Sequence, residues 1–514
     1  MAHLTRTLLR FTPITALLAG MLGSCSSQAR PAGMKQIETV VVIFAENRSF
    51  DNLYNGFPGA DTSGGRVALL RPQRDRDGSV LRELPPVWGG LTARGAADPI
   101  TQAMSAHLPN QPFHIDDPHG FNRPLSTLTQ DLWHRFYQNQ MQINGGRNDR
   151  FVAWADSGAL PMSEWDGSHM EMWRIARRYT LADHFFMGAF GGSFLNHQWL
   201  ACACAPFYPQ ADTSAAQPVI SAVAPSGTAL LVAADSPHSA LEGIPKFVRD
   251  GNLTPDFYAV NTMQPPYQPS ANPAAPGQDP RYADPARATT LPAQTAPTIG
   301  DRLSERGITW AWYAGAWGDV LEHGNHYPAP DFQYHHQPYN YYAAYAPGTP
   351  ARNEHLRDGG LAGAGFIAAI DHGQLPQVSF YKPQGNLNEH SGYADIQSGD
   401  HHIADLVAHL EKSPQWPHML VIVTYDENGG LWDHVAPPRG DRWGPGSRIP
   451  AIIISPYARR GHVDHTVQDT TSILLFLTKR FGLRPLDGVM TRARAIRAAT
   501  GHPLGNLTGA LNLR

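Results

Sequence analysis

Apolar runs and amphipathic segments alternate along most of the chain. Continuous apolar runs, which are typical of buried strands, occur in VVVIFA, ITWAWYA, QVSFY, HMLVIVTYD and IPAIIIS. Segments with helical spacing lie between them: WRIARR, IGDRLSERG, FIAAIDHG, HHIADLVAHLEKS and TSILLFLTKRFG. Because this alternation packs helices against a largely parallel sheet, the pattern predicts an α/β fold.

Two spans, residues 60–115 and 205–297, are poor in this periodicity. Within the second span, residues 265–297 hold nine prolines, which excludes a central strand or a long helix there. The sequence has no internal repeat. We therefore expect a single domain over residues 31–514, with loop-rich insertions near 60–115 and 205–297.

Composition and net charge limit the class of protein to which this chain can belong. Charged residues make up 16% of the 514 positions, and the 48 Gly and 44 Pro indicate a compact protein with many ordered loops. The formal net charge is −4, and the chain has no run of Lys or Arg. Without such an electrostatic footprint, nucleic acid is excluded as a partner.

The first 25 residues have the character of an export signal. Arg6 and Arg10 precede ITALLAGMLG, an apolar stretch that is too short to span a bilayer. The following LGSC fits the loose pattern of a bacterial lipoprotein cleavage site, which predicts a diacylglycerol anchor on Cys25. A plain signal peptide cut nearby is the alternative. The lipoprotein would reside in the periplasm or at the outer membrane, and the alternative would be secreted.

Two further cysteines, Cys202 and Cys204, lie in the small-residue stretch ACACA. Export permits disulfides, but a redox site or a metal clip usually needs more ligands nearby than this pair provides. We expect both cysteines to be small buried core residues.

Polar residues follow two of the predicted strands. Glu46 and Asn47 come after VVVIF, and Asp426 and Glu427 come after LVIVTY. Ligands bind at the carboxyl ends of strands in open α/β sheets, and three carboxylates that share a cleft must be neutralised. Their oxygen atoms suit a hard divalent cation. Solvated turn acids and helix caps explain the same pattern equally well.

A third polar position, Ser193, follows Gly191 and Gly192 and precedes the helix-like FLNHQWLACA. Serine is a common helix N-cap, so a structural role is one interpretation. The same place also presents a hydroxyl and free amide N–H groups to an anion, so a nucleophile is the other. Of the 24 histidines, several lie in polar, loop-like contexts: His114, His119, His335, His336, His390 and His434.

Five segments, in this order, resemble the bacterial phosphoesterase family that contains acid phosphatases and phosphatidylcholine-type phospholipases C. They are ENRSFD, GGSFLNHQ, the paired histidines of QYHHQ, NEHSGYAD and YDENGGLWDHVAPP, and the resemblance extends from about residue 37 to 482. It implies an α/β/α sandwich with a mostly parallel central sheet, related to alkaline phosphatase.

The resemblance also implies site residues. It implies one divalent metal ion, of unassigned identity, with four ligands: Glu46, Asn47, Asp426 and Glu427. It implies Ser193 as the nucleophile, with four histidines around the phosphoryl group: His119, His335, His336 and His390. No role is expected for three others: His114, His197 and His434.

Two features favour the acid phosphatase branch. Relatives in the phospholipase branch carry threonine as nucleophile, and we expect the chain to lack the extra β-domains that many of them add. We therefore expect an exported, metal-dependent acid phosphatase that cleaves small phosphate monoesters through a phosphoserine. A phospholipase C that cleaves phosphodiester headgroups is the alternative. A non-catalytic lipoprotein binding module is a minor alternative, since such a module needs no nucleophile.

The chemistry agrees with this expectation. A metal ion can lower the pKa of the Ser193 hydroxyl and hold a phosphoryl oxygen, while cationic histidines take the other oxygens. Because unperturbed histidine titrates near about pH 6.5, a set that must be charged favours acidic conditions.

Overall fold

The computed structural model of this chain describes residues 33–63, 71–92, 96–326 and 330–513. The expected signal peptide and Cys25 lie outside the described residues. Within these ranges, no helix has the length and apolar character needed to cross a bilayer.

The strands are numbered in chain order within the described residues: β1 (Thr39–Ala45), β2 (Phe113–His114), β3 (Ser163–Glu164), β4 (Thr180–Ala182), β5 (Phe185–Phe186), β6 (Trp310–Gly315), β7 (Leu356–Gly360), β8 (Val378–Lys382), β9 (Met419–Tyr425), β10 (Ala451–Ile454), β11 (His462–Asp464) and β12 (Gln468–Asp469). Eight of them form one sheet in the order β11-β4-β10-β9-β1-β8-β6-β7. Only β10 in this sheet is antiparallel to its neighbours. The two central strands β1 and β9 are buried along their whole length, as their apolar runs predict.

The α-helices of the described residues are α1 (Phe50–Tyr54), α2 (Phe136–Ile143), α3 (Glu171–Arg178), α4 (Ser193–Cys202), α5 (Ile299–Ser304), α6 (Trp317–His323), α7 (Pro350–His355), α8 (Ala364–Asp371), α9 (Ile396–Lys412), α10 (Thr470–Phe481) and α11 (Asp487–Thr500). Helices α3, α8 and α9 pack together, and a second group consists of α4, α5, α10 and α11. The sheet and these two groups make an α/β/α sandwich, which confirms the predicted fold class.

The sheet brings the carboxyl ends of several strands to one edge. Strands β1, β8 and β9 are parallel neighbours, with Ala45 at the end of β1 paired to Tyr425 at the end of β9. Strands β4 and β11 point the same way, because β4 is antiparallel to β10 and β10 is antiparallel to β9. Residues that follow all five strands therefore emerge at the same edge of the sheet.

Residues 60–115 and 205–297 contain little regular structure where they are described. The first span holds the short strand β2, and the second holds two 3-10 helices, Ala211–Thr213 and Gln217–Val219. The description of these spans as insertions in a single domain stays a prediction.

Cys202 and Cys204 match only in part the expectation of small buried core residues. Cys202 is buried as expected, but its sulfur is bonded to that of Cys204, and the Cα atoms are 5.2 Å apart. The reason is local: α4 ends at Cys202, and Ala203 adopts a left-handed conformation with φ of 50°. This turn reverses the chain within one residue, so that the two side chains meet.

Candidate active site

Ser193 lies between residues that follow the two central strands. Its Oγ atom is 3.2 Å from Oδ1 of Asn47, which follows β1, and 3.3 Å from Oε1 of Glu427, which follows β9. The backbone N-cap of α4 is Gly192, and Ser193 is the first helical residue and makes no capping hydrogen bond. The N-cap interpretation is therefore wrong for Ser193, because its hydroxyl points to the carboxylate instead of the helix backbone.

The two glycines before Ser193 permit a close approach of backbone to backbone. Gly191 has φ of 87°, and a Cβ atom there would lie 2.5 Å from the backbone nitrogen of Phe136. A Cβ atom on Gly192 would lie 2.8 Å from the carbonyl oxygen of His134. Any larger side chain would separate the two segments. The glycines thus place Ser193 beside the segment that carries His134.

Glu46 is fully buried and receives several polar contacts. Lys382 Nζ is 3.1 Å and His336 Nε2 is 2.9 Å from Glu46 Oε1. Asn388 and the Tyr393 hydroxyl donate to Oε2, at 2.5 and 3.0 Å. Burial alone would raise the pKa of Glu46, but the electrostatic effects of the His336 ring and of Lys382, together with hydrogen bonds from His335 and His336, outweigh it and hold that pKa well below its usual range. Glu46 is therefore a carboxylate anion.

Asp426 and Glu427 are also fully buried, but their negative charges are poorly balanced. Burial raises the pKa of Asp426 and of Glu427 well above their usual values; the nearby Asp426 carboxylate raises the pKa of Glu427 further, and Glu46 raises both. Asp426 Oδ2 has no hydrogen-bond partner among the described residues, and the imidazole Nδ1 of His197 stands 3.6 Å away. Two adjacent buried carboxylates, one of them with an unpaired oxygen, are costly to ionise, so this pair needs a proton or a cation.

The charges agree with one divalent cation at this site. Glu46, Asp426 and Glu427 together carry three negative charges when ionised, and Lys382 balances one of them. One divalent ion would balance the other two. The amide oxygen of Asn47 and the three carboxylates are hard oxygen donors of the kind such ions prefer. The residues present therefore fit the metal ion that the sequence predicts.

The structure brings His335, His336 and His390 to the site. His335 Nε2 is 3.8 Å from Glu46 Oε1, and His390 stacks on Tyr393 with ring centroids 4.4 Å apart. Burial lowers the pKa of His336 to about 3 and also lowers the pKa of His390. These two rings are neutral near pH 7 in this structure, so the expectation of a cationic histidine set does not hold for them, because it took no account of burial.

His119 is the predicted site residue that the structure does not connect to the others. His119 is exposed, and its backbone N–H donates a hydrogen bond to the side chain of Asp117. His134 is in contact with the site instead. His134 Nε2 is 3.7 Å from Glu427 Oε1, and its ring meets that of His390 edge to face at 5.5 Å. Burial lowers the pKa of His134 to about 4.

Lys382 and His134 were not predicted from the sequence, for different reasons. Lys382 ends β8, directly beside β1, so the rule that drew attention to Glu46 and Asp426 could also have found it. His134 lies in a polar stretch before α2, much as His119 lies in a polar turn. The sequence around these two histidines does not show which of them lies at the site. The close approach of Gly192 to His134 in the fold does.

The other polar residues of ENRSFD hold the loops that surround the site. Arg48 donates to a backbone carbonyl of the loop after β8, at 2.6 Å. Ser49 caps α1 and donates to the carbonyl of Trp432, at 2.7 Å. Asp51 accepts from the buried guanidinium of Arg448, at 2.8 Å. These three side chains fix the loop after β1 against the loops after β8 and β9, so they are structural.

Comparison with known proteins identifies the family that this chain matches. Residues 37–484 match the description Phosphoesterase family. The chain is similar to a non-hemolytic phospholipase C of Pseudomonas aeruginosa, at 28% identity over 94% of this chain and 58% of the relative. It thus spans little more than half the length of that enzyme. It is also similar to phospholipase C B of Mycobacterium tuberculosis, at 23% identity over 94% of this chain and 79% of the relative.

Among solved structures, one similar chain is a protein in the alkaline phosphatase superfamily from Vibrio parahaemolyticus. The identity is 14%, the aligned part covers 40% of this chain and 51% of that chain, and the TM-score is 0.24.

Proposed function

Because this chain belongs to the phosphoesterase family and is a hydrolase acting on phosphoric ester bonds, we propose that it is a phospholipase C-type phosphodiesterase that works through Ser193. The observation that supports the nucleophile is the position of its hydroxyl, 3.2 Å from Asn47 and 3.3 Å from Glu427. The relatives described above are phospholipases C, and acid phosphatase, which the sequence favoured, becomes the alternative.

In this proposal, one divalent ion is held by Glu46, Asn47, Asp426 and Glu427. When bound, such an ion supplies a Lewis acid that lowers the pKa of a nearby hydroxyl and neutralises charge on a phosphoryl oxygen. Lys382 keeps Glu46 ionised and so keeps it ready as a ligand. Asn388 and Tyr393 fix the orientation of the same carboxylate through Oε2.

The protein groups then divide the work of the reaction. Ser193 Oγ attacks phosphorus, the Oγ–P bond forms, and the bond from phosphorus to the glycerol oxygen breaks. Glu427 stands within reach of the hydroxyl proton, and His134, 3.7 Å beyond Glu427, is placed to carry a proton to the departing oxygen. Diacylglycerol leaves, and water then hydrolyses the phosphoserine ester and restores Ser193.

A cavity lined in part by sequence neighbours of His134 and Ser193 is the place that we propose for the lipid part of the substrate. It has a volume of about 420 Å³ and an aromatic wall that includes Phe136, Tyr137 and Phe190. Phe136 begins α2 two residues after His134, and Phe190 precedes Ser193 by three residues. The two segments that carry the reacting groups thus form part of the cavity wall, and residues 437–445 form another part. Its size lies in the range of pockets that bind small molecules, and the aromatic side chains of its wall suit an acyl chain.

The test compares three substrates at the same site. We expect p-nitrophenyl phosphorylcholine and short-chain phosphatidylcholine to be hydrolysed faster than p-nitrophenyl phosphate between pH 4 and pH 9. The variant Thr228→Trp, at the exposed rim of the cavity, should raise KM for phosphatidylcholine and leave p-nitrophenyl phosphorylcholine unchanged. Thr213→Trp, at an exposed position outside the cavity lining, is the matched control. Clearly faster cleavage of the monoester would favour acid phosphatase.

Export and anchoring belong to the proposal as well. The basic and apolar segments before Cys25 are the reason to expect export, with lipid attached at Cys25. Metabolic labelling with a radioactive fatty acid should mark the full-length chain and not Cys25→Ala. Equal labelling of both would remove Cys25 as the anchor, and labelling of neither would favour a plain signal peptide.

A further inference from the structure

A second group of metal-ligating side chains lies at the same edge of the sheet, on the side of β4 and β11. Asp183 and His184 directly follow β4, and His465 directly follows β11. The two strands are parallel neighbours, with Ala182 paired to Asp464. Residues one or two positions beyond the pair must therefore emerge side by side. This origin in strand pairing makes the cluster a fixed feature of the fold.

The spacing of the ligand atoms fits a single ion. His184 Nδ1 is 3.0 Å from Asp183 Oδ1, and His465 Nδ1 is 2.8 Å from Asp183 Oδ2. One ligand atom from each residue lies within 4.8 Å of the others. Two ligand atoms that are each about 2.1 Å from one zinc ion and about 90–109° apart are separated by about 3.0–3.4 Å, so the His184 pair lies at the lower limit of this range and the His465 pair about 0.2 Å below it. We propose that Asp183, His184 and His465 bind a divalent transition-metal ion of the zinc class.

Asp61 supplies the supporting contacts that such sites have. Its backbone N–H donates to Asp183 Oδ2 at 2.7 Å, and its Oδ2 is 3.5 Å from His184 Nε2. A carboxylate at the outer nitrogen is the usual means of orienting a metal-binding imidazole. Arg448 donates to the carbonyls of Asp61 and Asp183 at 2.8 and 3.0 Å, which fixes both segments.

The donor set separates this site from the oxygen-rich one around Asn47. Two imidazoles and one carboxylate suit zinc, nickel or copper, whereas magnesium and calcium prefer oxygen ligands. The Asp183 side chain is buried, His184 is 23% exposed and His465 is 60% exposed. The ion can therefore reach the ligands from solvent, and a water molecule can complete the coordination.

Bound metal would join three separate parts of the chain. Asp183 and His184 belong to the turn between β4 and β5, His465 to the turn after β11, and Asp61 lies beyond α1. Because the ion binds the folded arrangement and not the scattered residues of the unfolded chain, it stabilises the fold.

The test counts bound zinc. Wild-type protein and variants are dialysed to equilibrium against micromolar Zn²⁺, and metal per chain is measured by elemental analysis. We expect His465→Gln and His184→Gln each to bind one zinc ion fewer per chain than wild type. His462→Gln, three residues before His465, is the matched control and should bind as many as wild type. In the presence of Zn²⁺, the rise in Tm should be smaller for His465→Gln than for the control.

Two controls make the result decisive. Circular dichroism of each variant without zinc checks that the fold is retained, and two independent histidine variants guard against failure of one of them. Equal zinc content in wild type, His465→Gln and His184→Gln would overturn the proposal and leave the three residues as a hydrogen-bonded cluster. The outcome does not depend on phosphoesterase activity.

Discussion

The Nζ atom of Lys382 lies 3.1 Å from Oε1 of Glu46, and both side chains are completely buried. This pair sets the charge of the site, because it leaves two of the three carboxylates for a divalent ion to balance. A second metal ion would give the described carboxylates and Lys382 an excess of positive charge. For the metal site proposed above, the pair thus favours one ion over two.

Replacement of Lys382 should lower the free energy of unfolding. Lys382→Met leaves Glu46 buried without its cationic partner, and breaking a buried pair typically costs about 3–5 kcal/mol of unfolding free energy. Urea unfolding of metal-free protein should show a decrease of this size. Lys412→Met replaces an exposed lysine at the end of α9 and should stay within about 0.5 kcal/mol of wild type. Equal stability of the two variants would mean that the buried pair contributes little.

Asp426 should control metal content. Its Oδ2 atom is buried without a partner, so the substitution Asp426→Asn removes a charge that only a cation or a proton can compensate. We expect this variant to lose one metal ion per chain and most of its turnover, whereas the exposed Asp405→Asn should lose neither. Full activity in a preparation free of divalent metal would contradict the metal assignment.

The two histidines at positions 119 and 134 make a direct comparison. His134 is next to Glu427 and His390, whereas His119 is exposed. Loss of a general acid or base typically costs about 10²–10⁴-fold in rate. His134→Ala should lower kcat by at least about 10²-fold, and His119→Ala should change it less than about threefold. The reverse order would restore the assignment implied by the sequence.

His434 should make stability depend on pH. Burial would lower its pKa, but the hydrogen bond to Asp51, at 2.6 Å, and the charge of Asp51 raise the pKa of His434 to about 9. The folded pKa lies above the unfolded value of about 6.5, so the contribution is fully present below about pH 6.5 and is lost as pH rises through about 9. At most, this shift corresponds to about 3 kcal/mol.

The measurement compares Tm of wild type and His434→Gln at pH 6 and pH 9.5. The difference between the two proteins should be large at pH 6 and should shrink at pH 9.5. His418→Gln, at an exposed position before β9, is the control and should show no such change. A difference that does not vary with pH would mean that His434 acts by packing alone.

Much of this architecture follows from local patterns. The apolar runs of β1 and β9 and the helical spacing of α9 and α10 are strong signals, and α10 ends before Gly482 as predicted. The acids after β1 and β9 could be placed at one edge because parallel strands share it. The disulfide of Cys202 depends on the left-handed Ala203, a single backbone conformation that composition does not reveal.

Histidine roles were harder to predict than acid roles. Contact with the site depends on loop paths that no periodicity encodes, as the approach of Gly192 to His134 shows. Charge state depends on burial, which lowers the pKa of His336 to about 3 although its sequence context is polar. The sequence therefore predicted which acids would gather at the edge of the sheet better than it predicted which imidazoles would face them.

The central claim is that Ser193 carries the phosphoryl group, and acid quenching during turnover tests it most directly. With p-nitrophenyl phosphorylcholine, mass spectrometry should find phosphorylcholine on the peptide that contains Ser193; with p-nitrophenyl phosphate, it should find phosphate there. Ser193→Ala should lack the adduct and lose several orders of magnitude in kcat, while Ser391→Ala, a buried serine beside His390, keeps the adduct. An adduct on another residue, or near-normal turnover by folded Ser193→Ala, would contradict the account.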